Sequence, residues 1–283
     1  MKVSIYTQIA PRIETFFLKE WIEHHLMVGV DKIFIYNNGF FCKDHYGEGK
    51  IWNKKPYLDY FLEYTDSEIT NKLKSIVDSF KEYVSLVPWE TGGSCPKNTR
   101  TGCQVHGYKH CVTNNQSDWW LHIDPDEFIL SQKYLTIKDF LKATENAEFG
   151  RFILPQKIFG IRKANFPIRG ITECDWQTFD TNDAGLTKTL IHNDISYFHI
   201  HRPSLRNILK TKHLKPTDLM YNHYRGIGEP SCGVDEFNEY KLPLEDDAMI
   251  LFLKRHSVAN TTPNHPHQLE IPEKNNEKTA FIA

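Results

Sequence analysis

The chain has 283 residues, with 34 basic against 36 acidic side chains and a formal net charge of -2, so no basic field favours nucleic acid as a partner. Its six cysteines (Cys42, Cys95, Cys103, Cys111, Cys174 and Cys232) include no C-x-x-C pair, which argues against a zinc ribbon or a thioredoxin-like motif and for free thiols in a reducing compartment. No stretch approaches the roughly 20 apolar residues of a membrane helix, and "MKVSIYTQIAPRIETFF" holds no signal-peptide core; a soluble, cytoplasmic protein is expected.

"VSIYT", from Val3 to Thr7, is β-branched and aromatic and suits a central strand. From Ile13 to Val28 the apolar residues fall at helical spacing, Phe17, Trp21 and Val28 on one stripe and Leu18, Ile22 and Leu26 beside it. Gly29 is a natural C-cap. "KIFIYNN", Lys32 to Asn38, is a second strand, and strand, helix, strand in this order is a βαβ unit with a right-handed crossover. Residues 40–56 read as a loop, parts of 57–82 as helix, and Tyr83 to Trp89 as a third strand limited by Pro88. Arg100 to Asn114 reads as helix and "WWLHID" as a fourth strand, so the first ~130 residues alternate as in an open doubly wound sheet. Thr136-x-x-Asp139 resembles a capping box that starts a helix to about Ala147. Residues 150–202 are strand-like and loop-rich, 235–256 partly helical, and the polar segment from Ser257 is a surface tail.

One segment stands out. "WWLHIDPDEFIL" aims an apolar strand at Asp124, Asp126 and Glu127, which repel one another and are costly to bury unpaired. Ligands of open α/β sheets bind beyond the carboxyl ends of the strands, which is where these carboxylates fall. Strand alternation aims Asp124 and Asp126 the same way, and two converging carboxylates suit a hard cation, magnesium or manganese. Such an ion also neutralises a leaving diphosphate. A solvated acidic turn is the structural alternative, since D-x-D alone is weak.

D-x-D-E-F after "WW.HI" resembles glycosyltransferases of the GT-A fold, in particular the family 92 group and its bacterial and viral relatives. "FLKEWIEHHLMVGVDKIFIYNN" is similar to their N-terminal signature, Gln104, Tyr108 and Cys111 to a Q-x3-Y-x2-C helix, "FG" with "FPIRGITE" and "KTLIHNDISYFHIH" to later blocks, and Tyr221 to Tyr224 to an N-H-Y motif. The chain departs from the pattern at "TQIAPRIE", at Asn37 and at "RGIG" after the N-H-Y, around the expected nucleotide and acceptor pockets.

The resemblance implies a GT-A (Rossmann-like) α/β domain over 1–256, with a nucleotide-sugar-binding half to residue 130 and an acceptor-side half after it. It implies a nucleotide-sugar donor, a UDP-sugar such as UDP-galactose or UDP-xylose, a glycan or glycoprotein acceptor, and Mn2+ or Mg2+. Asp126 is the first choice for metal ligand, Asp124 a ligand or ribose contact, and His223 the remote ligand. Thr7, Gln8 and Arg12 follow the first strand where a nucleotide lies; Asn37 and Asn38 end the second and either bind base and ribose or simply turn. Arg100 and Gln104 line the donor side. Lys188 either meets a phosphate or covers a sheet edge. Glu20 and His24, one helical turn apart, are a supporting pair or a binding pair; Trp21 is core. The implied reaction inverts the anomeric carbon and needs a carboxylate base. Glu173, Asp175, Asp180 and Asp183 lie where a base enters; Asp183 is preferred, with Glu127 as competitor or brace. A nucleotidyltransferase of related fold is the other enzyme reading, disfavoured because no glycine follows the first strand. A non-catalytic nucleotide- or carbohydrate-binding module is the third.

Overall fold

The computed structural model describes residues 1–9, 11–38, 64–89, 100–163, 175–179, 187–199, 201, 203–206 and 209–225. Val3–Ile9 (β1) is buried on both faces, as its apolar run requires of a central strand. The helix expected in one piece over 13–28 is divided into Pro11–Glu14 (α1) and Leu18–Met27 (α2). Packing explains the break: the intervening turn sinks Phe17 into the core and lays Phe16 against Tyr64, ring centroids 5.1 Å apart. Gly29 stops α2 at φ +94°, a left-handed conformation that glycine takes without strain.

Lys32–Asn37 (β2), Asp66–Ser79 (α3), Val84–Pro88 (β3), Arg100–Asn114 (α4) and Trp119–His122 (β4) continue the alternation. Glu127–Leu130 (β5) and Ile137–Lys142 (α5) follow. The Thr136–Asp139 capping box starts α5 as expected, but the helix ends well before Ala147. Ala143 turns extended there, and the Asn146 side chain donates to the Phe140 carbonyl at 2.7 Å. The remaining strands are Phe149–Leu154 (β6), Gln156–Lys163 (β7), Asp175–Phe179 (β8), Lys188–His192 (β9), Ile195–Tyr197 (β10), Ser204–Leu205 (β11), Lys210–His213 (β12) and Met220–Arg225 (β13). The expected loop at 40–56, the helical stretch at 235–256 and the polar tail lie outside the described residues.

A seven-stranded mixed sheet has the order β12-β6-β9-β4-β1-β2-β3. Its β4-β1-β2-β3 part is parallel, while β9 runs antiparallel between β4 and β6. Helices flank both faces. Val3, Ile5 and Ile9 of β1 share one apolar cluster with Trp21 and Ile22 of α2, Leu73 and Val77 of α3, and Phe140 of α5. Tyr6 joins the opposite cluster with Tyr108 and Cys111 of α4. There α4 comes close enough that a Cβ on Gly107 would stand 2.3 Å from the Tyr6 hydroxyl. Cys111 is a free, buried thiol, which burial pushes up to about 12.

A second sheet, β5-β13-β7-β8, adjoins the first. The chain crosses into it three times, through the turn between β4 and β5, through Pro155 between β6 and β7, and between β12 and β13. All three crossings follow strands whose carboxyl ends lie at the same edge of the large sheet, since β9 pairs antiparallel with β4 and with β6 and β12 runs parallel to β6. That edge carries the candidate site. Among the described residues no helix is long and apolar enough to cross a membrane.

Candidate active site at the junction of the two sheets

β4 ends at His122, and the acidic segment is a turn rather than a strand. The Glu127 N–H donates to the Asp124 carbonyl at 3.0 Å, with Pro125 in the second position that suits its fixed φ. The turn breaks strand alternation, and Asp124 and Asp126 take different partners.

Asp124 faces Lys188. Its Oδ2 lies 2.6 Å from Lys188 Nζ, and its Oδ1 lies 3.7 Å from His122 Nε2. Glu127 completes this side: its Oε2 accepts from the Asp124 N–H at 2.8 Å and from Lys188 Nζ at 2.9 Å. Lys188 arrives by topology. Antiparallel pairing of Leu121 with Leu190 brings the first residue of β9 past the end of β4, beside Asp124. The reading of Lys188 as cover for a sheet edge is therefore wrong, because β9 is an interior strand and Lys188 is 1% exposed. Burial alone would pull the Lys188 ammonium down, but the Asp124 and Glu127 carboxylates outweigh it and hold it well above the usual lysine range. Burial pushes the Glu127 carboxyl up, to about 7, against the pull of Lys188.

Asp126 meets His223 instead. Its Oδ2 lies 3.4 Å from His223 Nε2. His223 stands opposite Glu127 in the β5–β13 ladder, and the Tyr224 N–H donates to the Asp126 carbonyl at 2.9 Å. The other imidazole nitrogen, Nδ1, lies 3.4 Å from Gln156 Nε2 and 3.7 Å from Glu127 Oε1. Gln156 is itself held by the Tyr221 hydroxyl at 2.5 Å.

No group of three or more His, Cys, Asp or Glu side chains set to hold a metal ion occurs among the described residues. The Asp126–His223 pair nonetheless fits a divalent cation. Adjacent ligands of an octahedral ion bound at about 2.1 Å stand about 3 Å apart, and the observed 3.4 Å is close to that. Two protein ligands leave positions for water and phosphate oxygens, the usual arrangement where magnesium meets a nucleotide. Glu127 near Nδ1 is placed as the outer carboxylate that orients a ligating imidazole.

The other expected residues are more scattered. Thr7 is wholly buried within β1, and its Oγ1 has no hydrogen-bond partner among the described residues. Gln8 accepts from the Tyr6 hydroxyl at 3.2 Å, and the same hydroxyl donates to the Gln104 carbonyl at 3.1 Å. Asn37 and Asn38 end β2 at the same edge, where backbone bonds tie them to Trp89 and Ile9. The side chains of Arg12, Arg100 and Asp175, and residues Glu173, Asp180 and Asp183, lie outside what is described.

Three residues, of which only His24 was expected in a supporting role, gain roles here. Trp21, expected only in the core, donates its indole N–H to the carbonyls of Glu127 at 2.9 Å and Asp124 at 3.1 Å. His24 meets the Ile129 carbonyl at 2.6 Å through Nε2. His201 is pulled down to about 4 by burial and by the Lys188 ammonium, so it is neutral beside the site. Only the E-W-x-x-H spacing, which puts Trp21 and His24 on one helix face, hinted at the first two.

The model of glycosyltransferase family 92 matches residues 59–251. No curated protein sequence matches. Solved structures similar to the chain include the mannosyltransferase PcManGT from Pyrobaculum calidifontis in complex with GDP-Man and Mn2+, at 12% identity and TM-score 0.32 over 55% of this chain and 35% of that one. S. aureus TarS 1-349 in complex with UDP-GlcNAc is similar at 12% identity and TM-score 0.37, over 95% and 68% of the two chains. A UDP-glucose pyrophosphorylase complexed with UDP-glucose is similar at 12% identity and TM-score 0.32, over 69% and 77%. The chain spans about a third of the length of the mannosyltransferase, and likenesses this loose decide nothing about its chemistry.

Proposed function

Because the chain belongs to glycosyltransferase family 92, we propose that it transfers a sugar from a nucleotide-sugar donor to a hydroxyl of a glycan acceptor, with a divalent cation held by Asp126 and His223. The observation that carries this reading is the 3.4 Å approach of Asp126 to His223 at the carboxyl edge of the parallel strands. A cation bound there supplies charge stabilisation to the leaving diphosphate.

The remaining roles belong to the same proposal. Asp124 is tied to Lys188, so it serves as a donor contact through its half-exposed carboxylate rather than as a principal ligand. Lys188 neutralises the acidic turn from inside, through its ion pairs with Asp124 and Glu127. Glu127 titrates in the range a general base needs, but it is 2% exposed and occupied by Lys188 and the Asp124 N–H. Geometry outranks titration here, and Glu127 is the brace. Asp183 remains the proposed base for an inverting transfer. Gln8, Asn37, Asn38 and Gln104 sit on the donor side, with Arg12 and Arg100 from neighbouring positions in the chain, and a UDP-sugar such as UDP-galactose or UDP-xylose is the proposed donor.

The test is direct. The protein is incubated with a panel of nucleotide sugars and manganese, and release of free nucleotide is measured. Turnover of at least one donor is expected, falling by about 10²-fold or more in Asp126→Ala and in EDTA. No turnover of any donor sinks the enzyme reading; turnover indifferent to both treatments sinks the metal assignment.

A further inference from the structure

Trp21 is fully buried in α2, against β5. Filling that space does not require an indole nitrogen; a phenyl ring is also a large apolar group. The N–H is nevertheless spent on two acceptors at once, the carbonyls of Asp124 and Glu127, at 3.1 Å and 2.9 Å. Those two residues are the ends of the acidic turn, whose closing backbone bond joins Glu127 N–H to Asp124 O. One buried donor therefore spans the two ends of the turn. His24, one helical turn along α2, holds the next stretch of β5 at Ile129. The helix is in turn fixed in length by the Gly29 stop.

We infer that Trp21 is a positioning residue for the metal pair: its indole N–H sets the turn so that the Asp126 carboxylate stands at ligand spacing from His223. This rests on the reading of Asp126 and His223 as metal ligands. Asp126 lies between the two carbonyls that Trp21 holds, and His223 belongs to a different strand, β13. The spacing between the ligands therefore depends on how the turn is seated against β13. Loss of the donor leaves two buried carbonyls short of a partner and frees the turn to rotate. A ligand constellation tolerates displacements of only about 0.5 Å.

The test replaces Trp21 with benzothienylalanine, which keeps the fused-ring shape and puts sulfur where the N–H stood. Trp21→Phe serves as a second variant made from a standard residue. Manganese alone is titrated into each protein, and free Mn2+ is read from its electron paramagnetic resonance signal. Thermal midpoints in EDTA report the fold. A positioning role predicts manganese affinity weakened about 10- to 100-fold in both variants, as for other outer partners of metal ligands, with the benzothienyl protein folded. A role in packing alone predicts a lower midpoint in Trp21→Phe, a near-native one in the benzothienyl protein, and unchanged affinity in both; that result overturns the inference. If the native protein itself binds no manganese, the metal reading falls and this inference with it. Native binding with unaffected variants removes Trp21 alone.

Discussion

Glu127 shows how a single buried carboxyl ties stability to pH at this site. In the folded protein its carboxyl is pushed from 4.5 to about 7 by burial, with Lys188 opposing. Between those values the native state holds a proton that the unfolded chain has released. Its contribution to the stability of the metal-free protein is therefore fully present below the unfolded value and is lost as pH rises through the folded one. Buried His25 and His201, held neutral, act in the opposite direction, so the readout is the comparison with Glu127→Gln. In urea denaturation in EDTA, raising the pH from 5 to 8 is expected to shift the wild-type midpoint downward relative to that of the variant, which carries no titrating group at this position. An equal pH dependence in that variant would assign the effect to other groups. At the same scale, the motifs singled out Asp126 and His223, which the fold brings within 3.4 Å of each other, whereas the pairing of Asp124 with Lys188 was not legible. The two residues are 64 positions apart, and only the antiparallel course of β9 brings them together.

At the scale of elements, local signals did most of what was asked of them. α4 spans the expected Arg100–Asn114, and both α3 and α5 begin on capping boxes. The end of α2 is a sharper case. Gly29 adopts φ +94°, and a Cβ there would stand 2.9 Å from the Thr136 Cβ. Gly29→Ala is expected to cost about 1–2 kcal/mol from backbone strain alone, with the Thr136 contact adding to it, as read from the urea midpoint. Because α2 carries Trp21 and His24, the same change is expected to loosen the turn they hold. Where local signals failed, packing had overridden them. Phe16 and Phe17 divide the first helix to reach separate partners, and the acidic segment leaves its strand because Pro125 favours a turn.

For the whole molecule, the site exists where two sheets meet. β4 supplies the approach, the β4–β5 turn and β13 the Asp126–His223 pair proposed to hold the metal, β9 the internal cation and α2 the support behind. A ligand that binds this junction and not the unfolded chain stabilises the whole fold by mass action. In a thermal-shift experiment with manganese, UDP, GDP and CDP are expected to separate, the cognate nucleotide raising the midpoint by about 5 °C at a hundredfold excess over its Kd. EDTA should remove the shift; a shift that survives it would place the nucleotide somewhere other than beside Asp126 and His223.

The sequence by itself determined the alternation of strands and helices, the family, and the carboxylates at the end of an aromatic strand. Those properties rest on periodicity, caps and short motifs, which act over a few residues and are written in the chain. Tertiary structure alone decided that Asp124 pairs with Lys188 and Asp126 with His223, that Lys188 is an interior counter-charge, and that Trp21 holds the turn. Each of these depends on a contact between residues more than sixty positions apart. Such contacts are set by strand order and direction, which spacing along the chain does not specify.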